Sequence, residues 1–146
     1  MAKCGDVMTR DPVSCEPDEA IARVAEIMKR EDVGAVPVIE TKASRRLVGI
    51  ITDRDIVVKA VAVGRDPKGA VREAMTANPV TCREDDDVSE AVSRMAERQV
   101  RRVPVVDAQG CLCGIIAQAD IATRVHQDKT TGELVEAISE KGTVRK

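Results

Sequence analysis

The chain has 146 residues, 43% of them hydrophobic and 33% charged, with a formal net charge of −2; it can bury one domain or two small units and offers no basic stripe for nucleic acid. It contains no Phe, Tyr or Trp, so the core falls to Val, Ile, Ala, Leu and Met, and no base can be stacked on an aromatic ring. No run approaches the roughly 20 apolar residues that span a bilayer, and Met1-Ala2-Lys3-Cys4-Gly5-Asp6 lacks the apolar core of a secretory signal, so the expected location is cytoplasmic, with no membrane partner.

In chain order, Val13 to Cys15 reads as a short strand after Pro12. Pro17-Asp18-Glu19 opens a helix running to about Glu31, with Asp18 as its N-cap. Ile21, Val24, Ala25 and Met28 recur along it at helical spacing on one face. Ala35 to Ile39 and Leu47 to Thr52 are apolar, β-branched runs and predict two strands, joined as a hairpin by the polar stretch from Glu40 to Arg46. A helix rich in Val and Ala follows from about Asp53 to Val63, and Gly64 to Gly69 is a linker by its Gly and Pro content.

The pattern then repeats. Met8-Thr9-Arg10-Asp11-Pro12-Val13-Ser14-Cys15 returns as Met75-Thr76-Ala77-Asn78-Pro79-Val80-Thr81-Cys82, and Val36-Pro37-Val38-Ile39 as Val103-Pro104-Val105-Val106, in both cases 67 residues later. Gly49-Ile50-Ile51 returns as Gly114-Ile115-Ile116, 65 residues later, so the first copy carries two extra residues in its polar hairpin connection. Val88, Ala91, Val92 and Met95 form the apolar face of the second copy's first helix. Thr131 to about Glu140 reads as one more amphipathic helix, with a tail from Lys141 to Lys146. The expected fold is α/β (α+β), built from two strand-helix-strand-strand-helix units plus a C-terminal helix. The divisions are residues 1–64, a linker over 65–70, a second unit over 71–126 and a final segment over 127–146.

The five cysteines, at 4, 15, 82, 111 and 113, are odd in number and the expected compartment is reducing, so no disulfide framework is expected. Cys111-Leu112-Cys113 has the wrong spacing for a zinc knuckle; two small buried hydrophobes on one strand face are expected, and no metal site.

The combination of motifs resembles the cystathionine-β-synthase (CBS) domain, twice over nearly the whole chain. The resemblance rests on Met-Thr-x-x-Pro-Val near each start, the helix bearing Met28 or Met95, the Val-Pro-Val strand, and the Gly-Ile-Ile-x-x-x-Asp run into the last helix. Thr52-Asp53-Arg54-Asp55-Ile56-Val57 and Gln99-Val100-Arg101-Arg102-Val103-Pro104-Val105 are similar to segments of the small stand-alone CBS-pair proteins, the hypoxic response protein family among them. The resemblance implies that two units pack with pseudo-two-fold symmetry as one Bateman module and leave a cleft. That cleft would take an adenosine derivative, most often AMP, ADP or ATP, and less often S-adenosylmethionine or NAD. It also implies a homodimer formed through the helices, a possible regulated protein acting in trans, and no enzymatic activity.

In this family the Asp of the Gly-h-h-Thr-x-x-Asp motif, where h is apolar, holds the ribose hydroxyls. The first copy has it complete, from Gly49 through Thr52 to Asp55, with Arg54 beside it for a phosphate. A helix start there would favour an anion. The same Thr52-x-x-Asp55 spacing is also that of a capping box. The second copy keeps Asp120 but has Ala117 in place of the Thr. Arg101 and Arg102 stand where basic residues face phosphates in the family; their alternative is a solvated surface. Val36 and Val103 would wall the adenine, with backbone from the segments Pro12-Val13 and Pro79-Val80 (Val13 and Val80), the alternative for the valines being core packing. His126, the one histidine, is expected at the surface. No phosphate-loop, dinucleotide or metalloprotease motif is present, and a lone histidine supports no Ser–His–Asp set. The competing function class is a protein-interaction module with no nucleotide ligand.

Overall fold

The β-branched runs form strands where the sequence places them, and two helices cover them. The structure, a computed structural model, describes residues 2–124; the helix expected over 131–140, the segment 127–146 and His126 lie outside the described residues. The chain divides into two packed units, one of Pro12–Pro79 and one of Met1–Asp11 with the residues from Val80 on.

In the first of these units β2 (Ala35–Ile39) pairs antiparallel with β3 (Leu47–Thr52), with Val36 opposite Ile51 and Val38 opposite Gly49. The two-residue β4 (Thr76–Ala77) adds to the far side of β3, giving the order β2-β3-β4. α2 (Ile21–Glu31) buries Ile21, Val24, Ile27 and Met28 in the core formed with Val36, Val38 and Ile51. The strand expected at Val13 to Cys15 is reduced to a single parallel bridge between Cys15 and Val38.

α2 starts later than the sequence suggests. Its N-cap residue is Ala20, with no side-chain cap, and Pro17–Glu19 lies in a turn where the Glu16 amide donates to Glu19 Oε2 (2.7 Å). Asp18 is therefore not the cap; it pairs with Arg72. The physical reason lies some 45 residues on, where the carbonyls of Gly69 and Pro67 accept from the Ile21 and Ala22 amides (both 2.9 Å). Backbone from the expected linker does the work of a capping side chain.

The helix expected over 53–63 is also divided. α3 (Asp53–Ile56) gives way to a π-helical stretch, Val57–Val61, with the Ala62 amide on the Val57 carbonyl (2.8 Å). Consecutive β-branched residues crowd a tight helical turn, and the widened turn relieves the crowding. It turns Ala60 into the core at 3% exposure and leaves Val57, Val58 and Val61 at 57%, 45% and 70%.

In the other unit β6 (Arg102–Val106) and β7 (Leu112–Ala117) form the matching hairpin. β5 (Cys82–Arg83) runs parallel to β6, and β1 (Thr9–Arg10) pairs antiparallel with β7, for the order β1-β7-β6-β5. α4 (Val88–Arg98) buries Val88, Ala91, Val92 and Met95, and α5 (Gln118–Arg124) follows β7. A short helix that the sequence did not suggest, α1 (Cys4–Val7), closes one side of this core with Cys4 and Val7.

Sequence repeat and packed unit thus differ. The expected divisions, 1–64 and 71–126, follow the repeat; by packing, residues 1–11 complete the sheet of the second copy and residues 71–79 that of the first. Glycine makes both additions fit. A Cβ on Gly114 would stand 2.6 Å from Met8 Sδ and 2.8 Å from the Thr9 carbonyl; one on Gly49 would stand 2.7 Å from Met75 Sδ and 2.9 Å from the Thr76 carbonyl. Each Met-Thr segment lies flat on a strand that has no side chain there.

Candidate functional site

β3 ends where the chain must turn into a helix, and Thr52 and Asp55 close that junction reciprocally. The Asp55 amide donates to Thr52 Oγ1 and the Thr52 amide to Asp55 Oδ2, both at 3.0 Å. The capping box is therefore present. It does not use up the carboxylate. An ionised Asp has about four lone-pair positions; the box takes one on Oδ2, and Lys59 Nζ approaches Oδ1 at 3.2 Å. The remaining acceptor capacity suits a pair of hydroxyls. Only 13% of the Asp55 side chain is exposed, so those positions are shielded from bulk water without being closed off.

Lys59 was not among the expected residues. It also donates to Thr76 Oγ1 at 3.3 Å, tying the helix start to β4. The only sequence signal for it is the acid–base spacing of one helical turn from Asp55. Arg54 is exposed, and its guanidinium has no ion-pair partner among the described residues. With four residues before the wider turns begin, α3 is too short for a strong dipole, so an anion here would rely on Arg54 and Lys59.

The second copy builds half of this junction. The Ala117 amide donates to Asp120 Oδ2 at 3.1 Å, and no hydroxyl answers. Arg102 sits directly across from Ala117 in the β6–β7 register, as Ala35 sits across from Thr52 in the first copy. Where one copy has a hydroxyl facing a methyl, the other has a methyl facing a half-buried guanidinium. The Arg101 carbonyl accepts from the Gln118 amide (2.8 Å), which fixes Arg101 and Arg102 against the helix start that bears Asp120. Neither guanidinium has an ion-pair partner among the described residues.

The valines divide. Val13 and Val80 are half-buried, each at the edge of its unit's core, and keep part of their surface exposed. Val36 and Val103 are fully buried at strand centres under α2 and α4, which favours the core-packing alternative for both. Cys111 and Cys113 are half-buried at the start of β7, and burial raises the Cys113 thiol above its ordinary range. Among the described residues no cluster of His, Cys, Asp and Glu is placed to hold a metal ion, and no helix is long and apolar enough to cross a membrane.

Known proteins share this arrangement. The model of the CBS domain family matches residues 4–61 and again 71–127. The chain is 35% identical over 139 residues to the CBS domain-containing protein YhcV of Bacillus subtilis, covering 95% of this chain and 96% of that one. It is 34% identical over 123 residues to Hypoxic response protein 1 of Mycobacterium tuberculosis, covering 84% of each. Two solved structures superpose along most of its length. CBSX2 in complex with AMP has a TM-score of 0.75 at 26% identity, covering 87% of this chain and 98% of that chain. The CBS domain pair of protein MJ0100, in complex with 5′-methylthioadenosine and S-adenosyl-L-methionine, has a TM-score of 0.77 at 29% identity, covering 88% and 99%. Two matched repeats, a relative aligned end to end and the strand-to-helix junctions at Asp55 and Asp120 agree: the chain belongs to the CBS-domain family, as a tandem CBS pair.

Proposed function

We propose that this CBS pair is a regulatory module, not itself an enzyme, that binds an adenosine-containing nucleotide of the AMP, ADP or ATP type in the cytoplasm. One observation carries the reading: Asp55 sits at a strand-to-helix junction with lone pairs left over after the cap is satisfied. The ligands named for CBSX2 and MJ0100 support it. AMP, 5′-methylthioadenosine and S-adenosyl-L-methionine share an adenine and a ribose with two neighbouring hydroxyls, and methylthioadenosine has no phosphate. A carboxylate facing a diol is the recognition element common to all three. Arg54, Arg101 and Arg102, free of ion pairs among the described residues, would add preference for phosphate. A ligand with different affinity for two arrangements of the module would shift the population between them, and a partner protein would read the result in trans.

The test is calorimetric titration of the full chain with AMP, ADP, ATP, NAD and S-adenosylmethionine. Binding is expected for at least one, with Asp55→Ala weakening it about 10- to 100-fold, since removing a group hydrogen-bonded to two hydroxyls costs about 1.5–3 kcal/mol. Binding that survives both Asp55→Ala and Asp120→Ala would place the ligand elsewhere. A flat response to all five favours the second reading, a protein-interaction module without a nucleotide. Ala117 and the exposed valines at 57, 58, 61 and 63 support that reading.

A further inference from the structure

We infer that Cys4 and Cys82 form a reversible thiol–disulfide pair, in which Cys82 is the nucleophile toward a peroxide, Cys4 the resolving thiol and Arg94 the positioning residue. The two cysteines share one core: Cys4 at the start of α1 is 0% exposed and Cys82 on β5 is 1% exposed. The Cys4 amide donates to the Asp86 carbonyl (2.8 Å) and the Gly5 amide to the Glu84 carbonyl (2.9 Å), which hold α1 against the segment that follows Cys82. The Cys4 thiol lies 3.7 Å from the Asp87 carbonyl, in the same core as Cys82.

Arg94 makes this pair unlike the other cysteines. Its Nη1 donates to Cys82 Sγ at 3.3 Å and is held there by the Thr81 carbonyl (2.7 Å) and Asp86 Oδ2 (3.4 Å), while Nη2 pairs with Glu90 (3.5 Å). A guanidinium pinned on a buried sulfur stabilises the thiolate, the form that attacks an oxidant. The neighbouring Cys4, and then Arg94, bring the Cys82 thiol below its ordinary range against the opposing burial and the Asp86 charge. Cys4 is raised by its Cys82 neighbour and by burial. Arg94 lies on the Cys82 sulfur, which sets Cys82 as the attacking thiol and Cys4 as the resolving one. Cys15, equally buried but with no cation beside it, is pushed by burial up to about 12. About a third of the Arg94 side chain is exposed, and it forms the polar approach from solvent.

With hydrogen peroxide as oxidant, the Cys82 thiolate attacks one oxygen, the O–O bond breaks, and the departing hydroxide takes up a proton as water. Cys82 is then a sulfenic acid. The Cys4 sulfur gives up its proton and attacks Cys82; the S–O bond breaks and the oxygen leaves as a second water. Two thiols lose two electrons and the peroxide gains them. The new bond closes residues 4–82, and with them the whole of Pro12–Pro79, into one covalent loop.

The experiment treats the reduced full chain with hydrogen peroxide, alkylates it, and maps the peptides by mass spectrometry. The expected product links the Cys4 and Cys82 peptides, lighter by two hydrogens and reversed by dithiothreitol, with Cys15 still alkylated once the chain is unfolded. In Cys4→Ala the reaction should stop at a Cys82 sulfenic acid that dimedone traps. Arg94→Gln should slow loss of the Cys82 thiol about tenfold and leave the rates at Cys111 and Cys113 unchanged. Cys4 and Cys82 still free after Cys111 and Cys113 are consumed would overturn the inference, as would an unaltered Cys82 rate in folded Arg94→Gln. If that variant does not fold, the dimedone adduct in Cys4→Ala decides.

Discussion

Thr52 and Ala117 occupy matching places in the two copies, and a single hydroxyl separates their surroundings. At Thr52 the helix start is closed by two reciprocal hydrogen bonds; at Ala117 only the Asp120 half remains. Ala117→Thr should therefore supply the missing acceptor to the Asp120 amide. The expected gain is about 1 kcal/mol, read as a rise of roughly 2–4 °C in Tm by circular dichroism. An unchanged or lowered Tm would mean that Arg102, across the strand pair, already occupies the space the hydroxyl needs. Capping, which the structure shows, and the ligand binding proposed for Asp55 and Asp120 call for the same sequence spacing. The residue pattern therefore singled out Asp55 and Asp120 without separating the two roles, and the structure supplies the capping bonds. For Val36 the two readings, adenine wall and core packing, could not be told apart by strand alternation, because β2 is buried on both faces.

At the scale of elements, the glycines opposite the Met-Thr segments make the sharpest prediction. In Gly49→Ala the methionine end can swing away, but the Thr76 carbonyl 2.9 Å from the new Cβ belongs to a paired strand and cannot. The expected cost is about 1–3 kcal/mol, measured by urea denaturation, with amide exchange speeding first at β4. The hairpin strands were legible to the residue, because Ala35–Ile39 and Leu47–Thr52 are β-branched runs bounded by polar turns. β1 and β4 were not, since two residues carry no periodicity. The start of α2 was hidden because its cap is backbone from 67–69, which no local motif announces. The π-helical stretch was hidden as well: an apolar helix of Val and Ala reads the same whether its turns close at four residues or five.

For the whole molecule, the exposed valines of the π-helical stretch offer the surface through which two copies of the chain would pair, the homodimer that the family resemblance implies. They adjoin a shallow groove of about 430 Å³ lined by Ile21, Ala25, Ile56 and Ala60, with Lys29 and Arg65 at its rim. Light scattering at micromolar concentration should give the mass of two chains, falling to one in the double variant Val57→Glu, Val61→Glu. Neither residue is in the core, so the variant should fold; a dimer that persists would move the contact to another face.

The order in which the chain is made matters for the exchange of leading segments. Pro12–Pro79 is continuous and can close on itself as soon as its last residues leave the ribosome. The first eleven residues have no place in it. They emerge before it and dock after it, waiting with Cys4, Val7 and Met8 uncovered until β7 has been synthesised to receive them. During that interval a growing chain presents an apolar flap to its neighbours on the same messenger, which makes nascent-chain exchange between adjacent ribosomes a specific hazard of this topology.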